Sequence, residues 1–199
     1  MIGAKRRLRH PGFSLLEMLI VIALFSTLTV IVSQTFISFS TLHRRTANAA
    51  VVGAEMRFAM EYIVRAARNR ELNYLPGSLN PQDTVLHLRD STGATLDIGP
   101  RPGGTSGDCK DATVAQCLAV SVEGGATWQP LTGKRVELSH FHVYPRPADS
   151  PFVSVSGAYT SDIQPFVTVG IGLRYVSERV KEQASLEAQT TVSSRIYAR

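Results

Sequence analysis

The chain has 199 residues and a formal net charge of +5, and 44% of its residues are hydrophobic and 19% charged. This composition excludes a disordered chain and a protein with many membrane spans. Four basic residues lie within the first twelve positions, and beyond them 17 basic residues stand against 16 acidic ones. The basic character therefore belongs to the N-terminus, which argues against a DNA-binding domain.

An uncharged apolar run of 25 residues extends from Met18 to Leu42. About 20 apolar residues in a helix span the hydrocarbon core of a bilayer, and a hydroxyl can bond back to its own helix, as expected for Ser26, Thr27, Thr29 and Ser33. The run is too long and uniform for an amphipathic surface helix, although a buried core helix is an alternative. The basic residues before it predict a cytoplasmic N-terminus, with the remainder on the exported side.

Two features argue against a cleaved secretory signal peptide. The apolar run exceeds the usual 7–15 residues, and the small-residue cleavage pattern at 47–49 lies beyond two arginines. Glu17 stands at the start of the run, where a carboxylate costs about 2.5–3.5 kcal/mol at mid-bilayer and less near the interface. A signal peptide gains nothing from this residue, and an ordinary signal anchor would hold it only by chance.

The residues around Glu17 read Gly12-Phe13-Ser14-Leu15-Leu16-Glu17, preceded by a short basic leader. This segment resembles the class III signal of type IV prepilins and type II secretion pseudopilins. The resemblance implies that a membrane aspartyl peptidase cuts between Gly12 and Phe13 and then N-methylates Phe13. Gly12 offers the protease an unhindered backbone, and Pro11 disfavours helix in the leader, so the helix should start after the cut.

The same resemblance implies a role for Glu17. Cleavage creates an α-ammonium on Phe13, and both charges are costly when they are poorly solvated and unpaired. In the family, the equivalent carboxylate is held to pair with the N-terminus of an adjacent subunit during filament assembly. A pair within one chain is an alternative, since Phe13 and Glu17 are four residues apart. A minor pseudopilin class at the filament tip lacks this Glu, so Glu17 argues against that class.

The helix is predicted to continue past the membrane to about Asn73, before Pro76-Gly77. Apolar residues repeat at helical spacing over this second half and form a stripe that should pack on a sheet. The stripe consists of Val52, Met56, Ala59, Ile63 and Ala66. The predicted organisation is therefore a cleaved leader at 1–12, a transmembrane and filament-core helix at 13–42, its amphipathic second half at 43–75, and an exported globular domain at 76–199.

From Thr84 onward the apolar period changes to two, which predicts strands. A hairpin is indicated by Asp90–Gly93, between strands 84–89 and 94–98. Further strands are predicted at 116–122, 135–144, 152–155, 166–176 and 184–196, the last two facing each other across a charged turn. The fold class is α+β, with a long N-terminal helix packed on a C-terminal antiparallel sheet, as in type IV pilin-like proteins.

Subtype is indicated by looser resemblances. Thr190–Arg195 resembles the closing strand of larger minor pilins and J-type pseudopilins, and the segments 131–132 and 135–142 resemble a strand of that group. The bend-inducing Pro of many major pilins is missing from the apolar segment. These features favour a minor pilin or a J-type minor pseudopilin.

Cys109 and Cys117 are the only cysteines and flank a short loop. Thiols on the exported side of a membrane tend to oxidise, so we expect a disulfide, with two free buried thiols as the alternative. Two cysteines without a second pair do not make a zinc site.

Other candidate sites are weaker. His140 and His142 alternate along one strand and with His87 would be candidate metal ligands, although histidines without a metal are more common. Calcium in the loop of Asp108 and Asp111 is a further candidate, but no metal or other cofactor is expected.

The Gly/Pro-rich segment Gly99–Gly107 lacks the Gly-Lys-Ser/Thr of a phosphate loop and is predicted to be a loop only. Trp128 is expected in the core. A local basic patch is conceivable around Lys134, Arg135 and Arg146, but no specific nucleic-acid partner is expected.

Three functions fit to different degrees. The first is a structural subunit, a minor pilin or pseudopilin of a type IV pilus or type II secretion-like filament. Its expected partners are prepilin peptidase/N-methyltransferase, other pilins, the membrane, and an inner-membrane assembly platform with a motor ATPase. The second is a membrane-tethered exported enzyme or binding protein, disfavoured because no catalytic motif is found and an enzyme is not expected. The third is a DNA-uptake pseudopilin, disfavoured by the near-neutral mature chain.

Overall fold

The computed structural model describes residues 12–74, 84–103, 109, 114–122, 124–148, 150–151, 154–155, 158–159 and 163–194. The chain divides into two compact units, Met1–His43 and Arg44–Arg199. Within the described residues the longest element is helix α1, Leu15–Asn69, which contributes to both units. The predicted leader, except Gly12, lies outside the described residues.

The first part of α1 is apolar and exposed. Every large apolar side chain from Leu15 to Leu42 is at least half exposed within the single chain. Its hydroxyls bond back to the helix as predicted: Ser26 donates to Ile22 O at 2.8 Å, and Thr29 donates to Phe25 O at 2.8 Å. By length and composition, α1 is the one described helix that qualifies to cross a membrane.

The second part of α1 carries the predicted stripe into the core of the second unit. All five predicted stripe residues are buried, as is the neighbouring Ala67. They pack in one cluster with apolar residues from both larger sheets, including Leu86, Ile98 and Ile171. Burial of this stripe on the sheets supplies the stability that helix propensity alone would not.

The helix ends four residues earlier than predicted, at Asn69 rather than near Asn73. Glu71–Leu72 forms strand β1, in which Glu71 pairs with Arg89 and Leu72 with Leu88. The Arg89 guanidinium also lies 2.9 Å from the Glu71 carboxylate. Pairing with a distant strand therefore ends the helix before the nearest sequence breaker.

The larger sheet is a five-stranded antiparallel meander in the order β1-β2-β3-β4-β5. Its remaining strands are β2 Leu86–Arg89, β3 Thr95–Pro102, β4 Gln116–Ser121 and β5 Gln129–Pro130. The predicted hairpin turn joins β2 to β3, with Gly93 at φ +87°. The hydrogen bond from the Thr92 hydroxyl lowers the pKa of Asp90.

One prediction in this sheet is wrong: Gly99–Pro102, expected within a loop, is the end of β3. Gly103 N–H donates to Ala115 O at 2.8 Å, toward β4. Successive N–H groups of a strand point to opposite neighbours, so N–H groups at positions 100 and 102 would point toward β2. The pairing with β2 reaches only Ile98, so Pro100 and Pro102 cost the sheet no hydrogen bond. A Cβ at Gly99 would lie 2.8 Å from Val85 Cγ2, which explains the glycine.

The second sheet has the order β10-β9-β6, with β6 Val136–Arg146, β9 Phe166–Tyr175 and β10 Ser185–Ser193. The predicted antiparallel pairing of the last two long strands is confirmed, and a 3₁₀ turn, Val180–Glu182, lies between them. Two short strands, β7 Ser154–Val155 and β8 Ala158–Tyr159, pair with each other. The predicted α+β fold, one long helix followed by an antiparallel β-sheet domain, is confirmed.

Candidate processing and assembly site

The predicted cleavage site lies immediately before α1. Residues 12–14 are not helical, and α1 begins at Leu15. Gly12 and Phe13 are exposed, and Phe13 retains 74% of its accessible surface. A peptidase needs accessible backbone, and residues 12–14 are exposed and outside the helix, as a substrate segment requires. Cleavage and methylation remain predictions.

Gly12 is not required by packing within the chain. Among the described residues, nothing lies within 4 Å of a Cβ built at Gly12. Its backbone also shows none of the positive φ values that favour glycine elsewhere in the chain. Packing against the described residues therefore gives no reason for glycine at this position.

Ser14 caps the helix, a role that the sequence analysis missed. Glu17 N–H donates to Ser14 Oγ at 3.3 Å, and Glu17 and Met18 N–H approach Ser14 O at 3.1 and 3.2 Å. The signal was present in the sequence, because Ser-x-x-Glu before an apolar run is the pattern of a capping box. The capping residue follows the predicted new terminus Phe13 directly, and the helix begins one residue later at Leu15.

Glu17 lies in the first turn of α1, where a carboxylate is favoured by the helix dipole. Its side chain is exposed, and no basic group of the described residues lies within ion-pair distance. Phe13 lies outside the helix, so the two are not stacked one helical turn apart in this structure. Among the described residues, therefore, the carboxylate has no ion-pair partner.

The predicted disulfide between Cys109 and Cys117 is present, with the Cα atoms 6.0 Å apart. Cys117 begins the buried part of β4 and packs with Cys109 and Ala119 beside half-buried Trp128. The Arg101 guanidinium stacks over the Trp128 ring at 3.5 Å, and the indole N–H donates to Gly125 O. The cluster packs beside β4 and joins the loop that contains Cys109 to the larger sheet.

The three candidate metal-binding histidines are not brought together as one site. The rings of His140 and His142 stack at 5.5 Å on β6, whereas His87, on β2, lies 2.7 Å from Asp97. Over the part of the chain that the structure describes, no three His, Cys, Asp or Glu residues form a group suited to a metal. Asp108 and Asp111 lie outside the described residues, so the calcium hypothesis is untested.

The basic side chains of the conceivable patch are all exposed. Arg135 donates to the Tyr175 hydroxyl at 3.3 Å, and Lys134 follows Gly133, whose N–H donates to the Glu55 carboxylate. Arg146 stands at the opposite end of β6 from Arg135. The three do not form one patch, since an 11-residue strand separates them.

Residues 7–33 match the family described as the prokaryotic N-terminal methylation motif. This motif is the class III prepilin signal, and together with the α+β fold it is consistent with a type IV pilin-like protein. The match points to a structural pilin-type protein that is anchored in a membrane by its apolar helix. Neither the curated proteins nor the solved structures gave a match.

Proposed function

We propose that the chain is a structural subunit, a minor pilin or pseudopilin, of a type IV pilus or type II secretion-like filament. The observation that carries the proposal is the methylation motif at 7–33, which includes the start of an apolar helix whose large side chains are exposed among the described residues. Such a surface needs a bilayer or other apolar helices around it. A filament subunit uses both in turn.

The proposed sequence of events starts with cleavage between Gly12 and Phe13 on the cytoplasmic side. Hydrolysis of this peptide bond releases the leader carboxylate and leaves an α-amine on Phe13. The same enzyme then transfers to this amine a methyl group from a methylsulfonium donor, which leaves as a thioether while the amine loses a proton. The four basic residues that hold the leader at the membrane surface leave with it. The subunit then stays in the inner membrane, with its globular domain on the exported side.

Assembly is proposed to proceed by packing of the apolar parts of α1 from several subunits. Extraction from the bilayer requires an assembly platform driven by a motor ATPase, because exposing so many apolar side chains to water is unfavourable. As a subunit enters, its Phe13 ammonium pairs with Glu17 of a neighbour. The pairing removes the cost of two unpaired charges in an apolar filament core.

The proposal is tested by expressing the chain with an active or an inactivated prepilin peptidase. We expect intact-mass spectra to show a chain starting at methylated Phe13 only with the active enzyme, and sheared filaments to contain that form. A chain that keeps Met1 beside the active enzyme would contradict the processing step. A processed chain that never enters filaments or cross-links to other pilins would contradict the structural role.

A further inference from the structure

The loop that follows β9 is bound to α1 just after the apolar segment ends. The Glu182 carboxylate lies 3.7 Å from the Arg44 guanidinium, and Asn48 Nδ2 donates to Glu182 O at 2.8 Å. Glu182 is itself buried, with only 10% of its side chain exposed. Since four helical residues rise about 6 Å, the contacts hold Glu182 within a narrow band along the helix axis.

The rest of this loop is held by its own hydrogen bonds. Arg179 N–H donates to Ser177 Oγ, and Gln183 Nε2 donates to Ser177 O, both at 3.3 Å. The Arg179 guanidinium also lies 3.4 Å from the Glu182 carboxylate. Val180 nevertheless stays 78% exposed, more than most apolar side chains of the bilayer-spanning candidate. The loop is therefore held in place with Val180 presented to its surroundings.

Basic residues flank this valine in the chain and stand at the start of the second unit. They form what we term the exit surface, composed of Arg44, Arg45, Arg179, Val180 and Lys181, all exposed. Two carboxylates lie among them, Glu178 and Glu182. The Glu182 carboxylate forms ion pairs with Arg44 and Arg179. The exit surface therefore keeps an excess of positive charge next to an apolar tip.

We propose that the exit surface binds anionic phospholipid headgroups, with Val180 inserted at the interface. The inference rests on the proposed function, in that residues 18–42 cross the bilayer. Arg44 and Arg45 then follow the last apolar residues at headgroup level. Glu182 contacts Arg44 and Asn48, and Val180 and Lys181 directly precede Glu182 in the chain, so both are expected near that level. Basic residues close to an anionic surface are attracted to it, and an adjacent apolar side chain adds burial.

A lipid surface fits better than a protein partner. Because Arg44 and Arg45 directly follow the segment of α1 that crosses the bilayer, both lie in the headgroup region, whichever way each side chain points. A protein interface of useful strength needs a larger apolar centre than one valine. Membrane contact would hold the globular domain against the bilayer until the subunit is extracted.

The first test uses the full chain in nanodiscs, with single cysteines labelled by an environment-sensitive fluorophore under non-reducing conditions. The labelled positions are Val180, Val122 and Ser26. Val122 is a matched control because it is also exposed, at 59%. It follows β4 at the sheet end where β3 begins at Thr95, and there Arg89 pairs with Glu71 just after the far end of α1. Ser26 reports whether the apolar helix is inserted at all.

We expect the Ser26 label to be shielded in both phosphatidylcholine and phosphatidylglycerol discs, and the Val180 label to be shielded only with phosphatidylglycerol. A Val180 label as exposed as the Val122 label, with Ser26 shielded, would overturn the inference but leave membrane anchoring intact. A water-exposed Ser26 label would overturn both. Equal shielding of Val180 in the two lipids would overturn headgroup binding.

The second test changes charge. Arg45→Glu or Lys181→Glu should lower the ratio of shielded to exposed Val180 label by about fivefold or more, the change expected for one basic residue near an anionic surface. Arg68→Glu is the control, since Arg68 is exposed on the same helix about 35 Å farther along. An equal effect of Arg68→Glu would show a dependence on net charge alone and overturn the exit surface as the site.

Discussion

The carboxylate of Glu182 lies 3.7 Å from the guanidinium of Arg44, and the two residues are joined across most of the sequence of the second unit. Arg44 stands on α1, whereas Glu182 closes the connection from β9 to β10. Arg44 and Glu182 belong to a cluster that also includes Arg179 and Asn48. The cluster attaches the connection between β9 and β10 to the helix.

The first prediction concerns this cluster. Glu182→Gln should destabilise the folded chain by about 0.5–1 kcal/mol, since ion pairs of a carboxylate with exposed arginines such as Arg44 and Arg179 contribute up to about 1 kcal/mol. The measurement is urea unfolding in detergent, followed through the fluorescence of Trp128. Glu178→Gln is the control, because Glu178 is an exposed carboxylate of the same loop. Equal effects of the two changes would contradict the assigned role.

Part of this fold follows from local sequence patterns, and the Glu182 contact shows the limit. The buried stripe on α1 was predictable because helical periodicity is a local signal. The end of α1 was not, since β1 depends on pairing of Glu71 with Arg89. Nor was the Glu182 contact, whose hydrogen bond to Asn48 joins residues 134 positions apart.

The candidate site shows the same division. Gly12, Phe13 and Glu17 were found from a motif, and the Ser14 cap was a local signal that was overlooked. The short strands β5 and β8 have two residues each and carry no periodicity, so they could not be recognised from sequence. Which molecule meets the exposed helix depends on other chains, and no pattern within this chain specifies it.

The second prediction concerns processing. Gly12→Val should block the cut, because a branched side chain would not fit a protease site that accepts glycine. Insertion and folding should be unchanged, since nothing among the described residues approaches a Cβ at Gly12. Intact mass of membrane-extracted protein is the readout. Gly53→Ala is the control, since Gly53 lies on α1 and a Cβ there also meets nothing among the described residues, and it should be processed normally. Normal cleavage of Gly12→Val would exclude a role for glycine.

The third prediction concerns the disulfide. Non-reducing peptide mapping of protein from cells should show Cys109 linked to Cys117. Replacing both by Ser should lower the free energy of unfolding by about 2–3 kcal/mol in the chain-entropy model for so short a ring. Reduction of the wild-type protein should give the same loss. Free thiols in protein isolated from the exported side would contradict both the bond and the assigned compartment.

The fourth prediction concerns pH. Burial raises the pKa of Tyr74 to about 12, and its hydroxyl donates to Pro147 O at 3.3 Å. The neutral phenol is the form that the fold favours, so its stabilisation is complete below the ordinary tyrosine pKa of about 10 and is lost as pH rises toward 12. Tyr74→Phe should flatten the fall in unfolding free energy over this range. Tyr144→Phe, at an exposed tyrosine, is the control, and an equal effect there would contradict the assignment.

The fifth prediction concerns Glu17 and tests assembly directly. Glu17→Leu should not impair membrane insertion, because an apolar residue is less costly than a carboxylate in this segment. Cleavage should also persist, since Gly12 is unchanged and the scissile bond lies before the helix. Entry into the filament should fail, because an unpaired Phe13 ammonium costs about 3–5 kcal/mol, which corresponds to a hundredfold loss or more.

The measurement for Glu17→Leu compares mature protein in the membrane with protein in sheared filaments. Glu61→Leu is the matched control, since Glu61 is an exposed carboxylate of α1 beyond the apolar segment, paired at 3.0 Å with Arg65. Glu17→Gln separates charge from hydrogen bonding, because the amide keeps the size of the side chain but cannot neutralise an ammonium. If charge pairing drives assembly, Gln fails as Leu does and Glu61→Leu assembles normally. Processed Glu17→Leu protein that enters filaments at the wild-type level would exclude the pairing and favour a helix that acts only as a membrane tether.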